Sequence, residues 1–283
     1  MKNIIIYISF SVLFLFSIQA NAGGGWLPGK GKGYFKFGQS ALRAQYYYSL
    51  DGTLTDITTT SVYISSFYGE YGFSERIAAI AYVPFFFRTT INELRFRQSG
   101  NVIPGDELNS VGDMEFTLKY GIIQNKPFVL SGSLTLGIPT GKTMGGETQT
   151  LQTGDGEFNQ LLKLEGSYSI PGTSAYLTAT VGFNNRTKGF SDEFHIGIEG
   201  GYSFGKKFTG IVKVYNLSSF KNGTLPPTSN SLFSNNMEYL SITPELVYQA
   251  NDKYGINAKA SFAPAGKNVL AAPFYELGLY LKI

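Results

Sequence analysis

Residues 175–186 read AYLTATVGFNNR. Ala175, Leu177, Ala179, Val181 and Phe183 are apolar, and Tyr176, Thr178, Thr180, Gly182, Asn184 and Arg186 stand between them. Alternation at period two marks a β-strand with one apolar and one polar face. In a soluble barrel or sandwich the apolar face turns inward. In an outer-membrane barrel it turns outward, to lipid. The rest of the chain decides which.

The same alternation recurs along the chain. Met114, Phe116, Leu118, Tyr120 and Ile122 oppose Glu115, Thr117, Lys119 and Gly121. Leu162, Leu164, Tyr168 and Ile170 oppose Lys163, Glu165, Ser167 and Ser169. Phe194, Ile196, Ile198 and Tyr202 oppose Glu193, His195, Glu199 and Ser203. Twelve such runs can be counted, at 34–48, 60–72, 76–91, 113–123, 128–140, 158–170, 174–186, 193–204, 208–218, 237–250, 254–263 and 273–283. Each is long enough for the roughly 9–11 residues a tilted strand needs to cross a bilayer.

The connections between the runs alternate too. Tight turns rich in Gly, Pro, Asn and Asp fall at 72–75, 124–127, 171–173, 205–207 and 251–253. Longer polar connections fall at 49–59, 92–111, 141–157, 187–192, 219–236 and 264–272. Short periplasmic turns alternating with long extracellular loops are the pattern of an outer-membrane barrel. Many strands also begin and end their apolar face in Tyr or Phe, as side chains at a membrane interface do. The expected fold is all-β, an antiparallel up-and-down transmembrane barrel of about twelve strands.

The first residues, MKNIIIYISFSVLFLFSIQANA, combine a lysine, an apolar run and a small-x-small end. They predict a secretory signal peptide over 1–22, cleaved before Gly23. A short periplasmic segment over 23–33 follows, able to fold into the lumen, and then the barrel over 34–283. These features place the chain in a Gram-negative outer membrane. Its partners there are lipid and lipopolysaccharide, and the barrel-assembly machinery. The last reads the closing strand FYELGLYLKI, in which Ile283 replaces the usual terminal aromatic.

Composition narrows the function. Zero Cys excludes a disulfide scaffold and thiolate chemistry. A net charge of +3 gives no electrostatic case for nucleic acid. Forty-two Tyr and Phe (19 and 23), with a mean hydropathy of −0.03, suit aromatic girdles around a polar lumen. GIPTGKT (137–143) has three residues between its glycines where a phosphate loop needs four, so it is not one. TGDGEFNQ (153–160) lacks the spacing of an EF-hand loop. One His and no Cys argue against zinc, and no nucleophile elbow accompanies His195. We expect no enzyme, no cofactor and no metal.

The candidates for function are the polar-face charges. On the central strands these are Glu115, Lys119, Lys163, Glu165 and Arg186. Further along are His195, Glu199, Lys213, Glu245 and Lys259, and by the same parity Glu70, Arg88, Glu193 and Glu276. Mixed acids and bases in a narrow lumen must pair or stay wet. They line either a filled barrel or a solute path. The path reading makes the protein a passive channel or transporter for small organic compounds. The other reading is a closed barrel acting through its outer loops as a surface adhesin or scaffold.

Four stretches carry a family resemblance: VGDMEFTLKYGI, LGIPTGKT, LQTGDGEFNQLLKLEGSYSI and FNNRTKGFSDEFHIGIEGGYSF, with KGKGYFKFGQ near the start. Together they resemble the outer-membrane family labelled MetA-pathway of phenol degradation, with XagA-like and transporter-type relatives. The combination of Gly112-Asp113 with Lys119-Tyr120, Pro139-Thr140-Gly141 and Thr153-Gly154-Asp155-Gly156 is its most specific part. The resemblance implies an outer-membrane barrel and passage of small, aromatic or hydrophobic compounds. It implies no catalytic residue.

Overall fold

The computed structural model describes residues 23–228 and 231–283, so the signal peptide expected over 1–22 lies outside the described residues. Twelve long strands form the wall. They are β1 (Gly33–Tyr48), β2 (Leu54–Gly72), β3 (Ile77–Ile91), β4 (Met114–Ile123), β5 (Phe128–Ile138) and β6 (Asn159–Ser169). The other half is β7 (Ala175–Arg186), β8 (Glu193–Phe204), β9 (Phe208–Ser219), β10 (Glu238–Gln249), β11 (Tyr254–Lys267) and β12 (Phe274–Lys282). Every strand pairs antiparallel with the next in sequence. β12 pairs back onto β1, from Tyr34↔Lys282 to Leu42↔Phe274, and closes the barrel. Closure removes both sheet edges, so every strand finds its hydrogen-bond partners inside the wall.

Accessibility answers the question raised by residues 175–186. Leu177 is 57% exposed and Phe183 43%, whereas Thr178, Asn184 and Arg186 are buried. The same holds around the wall: Leu162 and Ile198 are about as exposed as a side chain on a sheet can be, while Lys119 and Glu193 are buried. A belt of exposed Leu, Ile and Phe around a polar interior would be unstable in water and is what a lipid solvent requires.

The alternation breaks once in a way that matters. On β3, Phe85 and Phe86 are both exposed in succession, and the β2 register shifts opposite them between Ser65 and Phe67. The extra residue is a β-bulge, and it reverses the parity of everything after it. Phe87 and Thr89 therefore point inward, and Arg88 points outward, where it pairs with Glu107 at 2.5 Å. Arg88, expected from simple alternation to face the lumen, does not.

The bulge also opens the seam between β3 and β4. β3 pairs with β4 through Ile77–Tyr82 and, beyond the bulge, with the short strand Asp106–Ser110. Between these ladders Pro84 has no N–H to give, and one backbone bond remains, from Gly112 N to Pro84 O.

Candidate functional site

The interior is built from three parts: a charged and tyrosine-rich wall, a cover at the end with the long connections, and a strap at the end with the short turns.

On the wall, register sets which charges meet. Lys119 on β4 is buried and lies 3.6 Å from Glu165 on β6. Thr178 on β7 is level with Glu199 on β8, and Glu199 with Lys213 on β9. The Lys213–Glu199 ion pair is 2.8 Å, and Tyr176 Oη donates to the same Glu199 at 2.8 Å. Glu245 on β10 accepts from Asn257 Nδ2 at 2.7 Å. Lys259 and Lys36 share Glu276, at 3.0 and 2.5 Å. His195 is held between the Tyr215 hydroxyl and Glu193, whose Oε2 is 3.3 Å from Nε2.

Two of the candidate residues are different. Among the described residues the side chains of Glu115 and Lys163 make no hydrogen bond and no ion pair. Glu115 is exposed although it projects into the barrel. Lys213 is 51% exposed in the same way. Side chains that point inward and still meet solvent require open space, so the barrel is left unfilled and wet beside Glu115 and Lys213.

Charge on the candidate strands was the signal followed in the sequence; it left out Lys36 on the first strand, and it could not find the tyrosines. Lys36 and the tyrosines 34, 68, 82, 176, 215 and 280 sit on the same face, which the parity of their strands identifies. Small residues make room for them. A Cβ on Gly201 would stand 2.1 Å from the Tyr176 ring, and one on Gly255 would stand 2.2 Å from Tyr280.

The cover comes from the connections 139–158 and, among the described residues, 220–228 and 231–237, which fold inward. The first docks on the seam left open by the bulge. Thr140 Oγ1 donates to Gly112 O at 2.6 Å and Thr153 Oγ1 to Val111 O at 2.8 Å, taking carbonyls that lack a ladder partner. The Asp113 carboxylate accepts from Gly141 N at 2.8 Å and Asp155 N at 2.9 Å. Three of the four motif fragments, around Gly112, Thr140 and Thr153, thus meet in one latch, and the fourth, Lys119-Tyr120, lies elsewhere on the wall. Arg186, at the end of β7, closes it by pairing with Asp155 (2.7 Å), Glu157 (2.7 Å) and Glu193 (2.8 Å). Its guanidinium also lies 4.3 Å over the Phe190 ring. Asp155 belongs to the loop, and burial pushes its carboxyl up to about 6. The Glu157 N–H and the Arg186 guanidinium pull the other way, and the nearby Glu157 and Asp113 carboxylates add to the rise.

The second connection packs Leu232 and Phe233 onto an apolar cluster of Ala44, Tyr47, Val62, Phe87 and Leu270. Ser231 Oγ donates to Gln152 Oε1 at 2.5 Å and joins the two connections over the lumen.

The strap is Gly23–Lys32. Its rim end is tied to the barrel by Gly31 N to Gly72 O (2.8 Å) and Gly72 N to Lys32 O (2.9 Å). Its first residues lie inside. Gly25 N donates to Ser167 Oγ at 2.9 Å, Gln124 Nε2 to Gly25 O at 3.0 Å, and Lys119 Nζ to Gly24 O. The Trp26 indole meets Tyr176 edge-on, with ring centroids 5.3 Å apart.

A separate cleft of about 470 Å³, lined by Arg88, Asp106, Glu107 and Glu147 among others, lies on the outer rim. Arg88 is committed there to Glu107, and Asp106 to the 146–148 turn. No group of three or more His, Cys, Asp or Glu among the described residues is placed to hold a metal ion.

No family model matches the chain, and no curated protein sequence matches it. Its fold is similar to solved barrels. A COG4313 outer membrane channel from Pseudomonas putida F1 superposes with a TM-score of 0.64 at 11% identity, covering 94% of this chain and 100% of that one. The NanC porin superposes with a TM-score of 0.52 at 8% identity, covering 88% and 100%.

Proposed function

We propose that the protein is an outer-membrane channel for small organic compounds, aromatic ones among them. The observation that carries this is the wet interior. Glu115 and Lys163, without a partner among the described residues, and Lys213, paired with Glu199 yet 51% exposed, reach solvent inside a closed wall, between the cover and the strap. A filled structural barrel has no use for unpaired interior charges, because burying them without partners is costly. The similarity in fold to an outer membrane channel supports the reading, and so does the sequence resemblance to the phenol-pathway family.

In this reading the leader is cut before Gly23 and the chain crosses the outer membrane with its short turns in the periplasm. The exposed belt faces lipid, and the long-loop rim faces lipopolysaccharide. β12 is the strand read by the barrel-assembly machinery. His195 serves the wall, since both ring nitrogens face partners in Tyr215 and Glu193.

The test is single-channel conductance of the refolded protein in a planar bilayer, beside a Lys163→Gln/Glu165→Gln variant. Discrete openings whose size or ion preference shifts in the variant are expected. Silence from protein shown to be folded would overturn the channel reading in favour of a closed barrel working through its outer loops.

A further inference from the structure

Resting on the channel reading, we propose that Gly23–Trp26 is an internal ligand. It occupies a site on the inner wall that also accepts an aromatic carboxylate, and binding of that solute releases the strap.

The segment is held as a ligand is held, by side chains and without a strand ladder. Two of its carbonyl oxygens face donors, Gly24 O the Lys119 ammonium and Gly25 O the Gln124 amide. One N–H faces the Ser167 hydroxyl. One aromatic ring meets Tyr176 in an edge-on contact. The backbone lies so close to the wall that it must be glycine. A Cβ on Gly25 would stand 2.8 Å from Glu165 O, and one on Gly24 2.8 Å from Ser167 Oγ. The segment also has a pivot. Gly29 and Gly31 have φ of 85° and 73° and nothing closer than 3.5 Å to an added Cβ, and they sit where the strap crosses the rim.

What the strap would leave behind defines the chemistry of its competitor. Lys119 is almost fully buried, and its remaining neighbour, Glu165, is 3.6 Å away, farther than a close ion pair. The Tyr176 ring, held in place by Glu199, would be uncovered at the other end of the footprint, where Trp26 now meets it. An ammonium and an amide N–H donor at one end of the strap's footprint and an aromatic ring at the other match a ring that carries a carboxylate on a short arm. A carboxylate without a ring replaces only the carbonyl contacts. A ring without a carboxylate leaves Lys119 with only its long contact to Glu165.

The chain supplies its own probe, because Trp26 is the only tryptophan in the sequence. The experiment reads acrylamide quenching of Trp26 in the refolded protein, excited at a wavelength that spares tyrosine, during titration with 3-phenylpropionate. We expect quenching to rise severalfold and to saturate. Propionate and benzyl alcohol should have little effect, and Lys119→Gln should raise the half-saturating concentration about tenfold. Gly25→Val, whose side chain has no room at the wall, should be strongly quenched with no ligand and should open more often in bilayers. The proposal is overturned if Trp26 in the wild type is fully quenched from the start. It is also overturned if 3-phenylpropionate changes nothing, or if propionate does as much. These results are independent of conductance. Folded wild type and Gly25→Val that are both silent in bilayers would sink the channel reading alone. Conducting protein whose Trp26 ignores 3-phenylpropionate would sink the internal ligand alone. If Gly25→Val does not fold, the wild-type and Lys119→Gln titrations still decide.

Discussion

Arg186 Nε lies 2.7 Å from a Glu157 carboxylate oxygen, and the two side chains retain 4% and 0% of their exposure. The pair joins the end of a wall strand to a connection that has folded into the lumen. Glu157 also accepts from Thr187 N at 2.9 Å, so the acid is bound on both sides. Removing the guanidinium would leave Asp155, Glu157 and Glu193 crowded and unpaired. Loss of one partner from a buried ion pair costs about 3–5 kcal/mol.

Arg186→Ala should therefore release the 139–158 connection while the wall stays closed. Limited proteolysis should cut within 141–157 many times faster than in the wild type, and the heat-modifiable gel shift of a folded barrel should persist. Cleavage at the wild-type rate would show that the latch does not hold the cover. Arg186→Lys should rescue only in part, since an ammonium cannot meet three carboxylates in the geometry of a planar fork.

The belt facing lipid is open to a direct measurement. Leu162→Arg, at a side chain 60% exposed on the outer wall, should reduce the free energy of folding into vesicles by about 2–4 kcal/mol if the position is near mid-membrane. Thr135→Ser on the buried inner face should change it by less than about 1 kcal/mol, as it removes a single methyl. Equal effects would contradict the assignment of faces.

Ion preference should follow Glu115 and Lys163, the interior charges that have no partner among the described residues. Lys163→Glu should move the reversal potential under a salt gradient toward cation preference, and Glu115→Lys should move it toward anions. The shift should shrink as salt is raised, because screening shortens the reach of each charge. Unchanged selectivity in both variants would mean that permeating ions do not pass these residues.

At the outer rim, Asp106 fixes the 146–148 turn. The Thr148 hydroxyl and the backbone N–H groups of Thr148, Glu147 and Glu107 hold its carboxyl down at about 2, below the usual value of 3.8. A depressed carboxylate contributes stability that is complete above its unfolded pKa and lost as pH falls through the folded one. Amide exchange at Glu147 and Thr148 should thus be slow relative to random coil above pH 4 and lose that protection between pH 4 and 2. Asp106→Asn should remove part of it at neutral pH. Protection that stays constant down to pH 2 would break the link.

The alternation in residues 175–186, repeated in the other strands, was enough to identify a twelve-stranded barrel and to sort most side chains by face. Period two is a local property of an extended chain, so it survives in the sequence, and so does the difference between tight and long connections. The bulge at Phe85–Phe86 is a non-local fact. Whether β3 spends one residue more than β2 depends on the pairing of Ser65 and Phe67, and Arg88 turned outward for that reason. Partners were likewise hidden. Lys119 meets Glu165 across an intervening strand, and Arg186 meets acids from a loop and from the next strand. The fragments around Gly112, Thr140 and Thr153 were legible only as part of a family resemblance, and their role emerged when three separate stretches closed on one broken seam. The sequence alone determined which solvent each face meets, because that is set by side-chain chemistry and strand pleat. Only the tertiary structure decided what fills the barrel. The inward fold of the connections and the seating of Gly23–Trp26 rest on hydrogen bonds between residues far apart in the chain, and no local pattern encodes them.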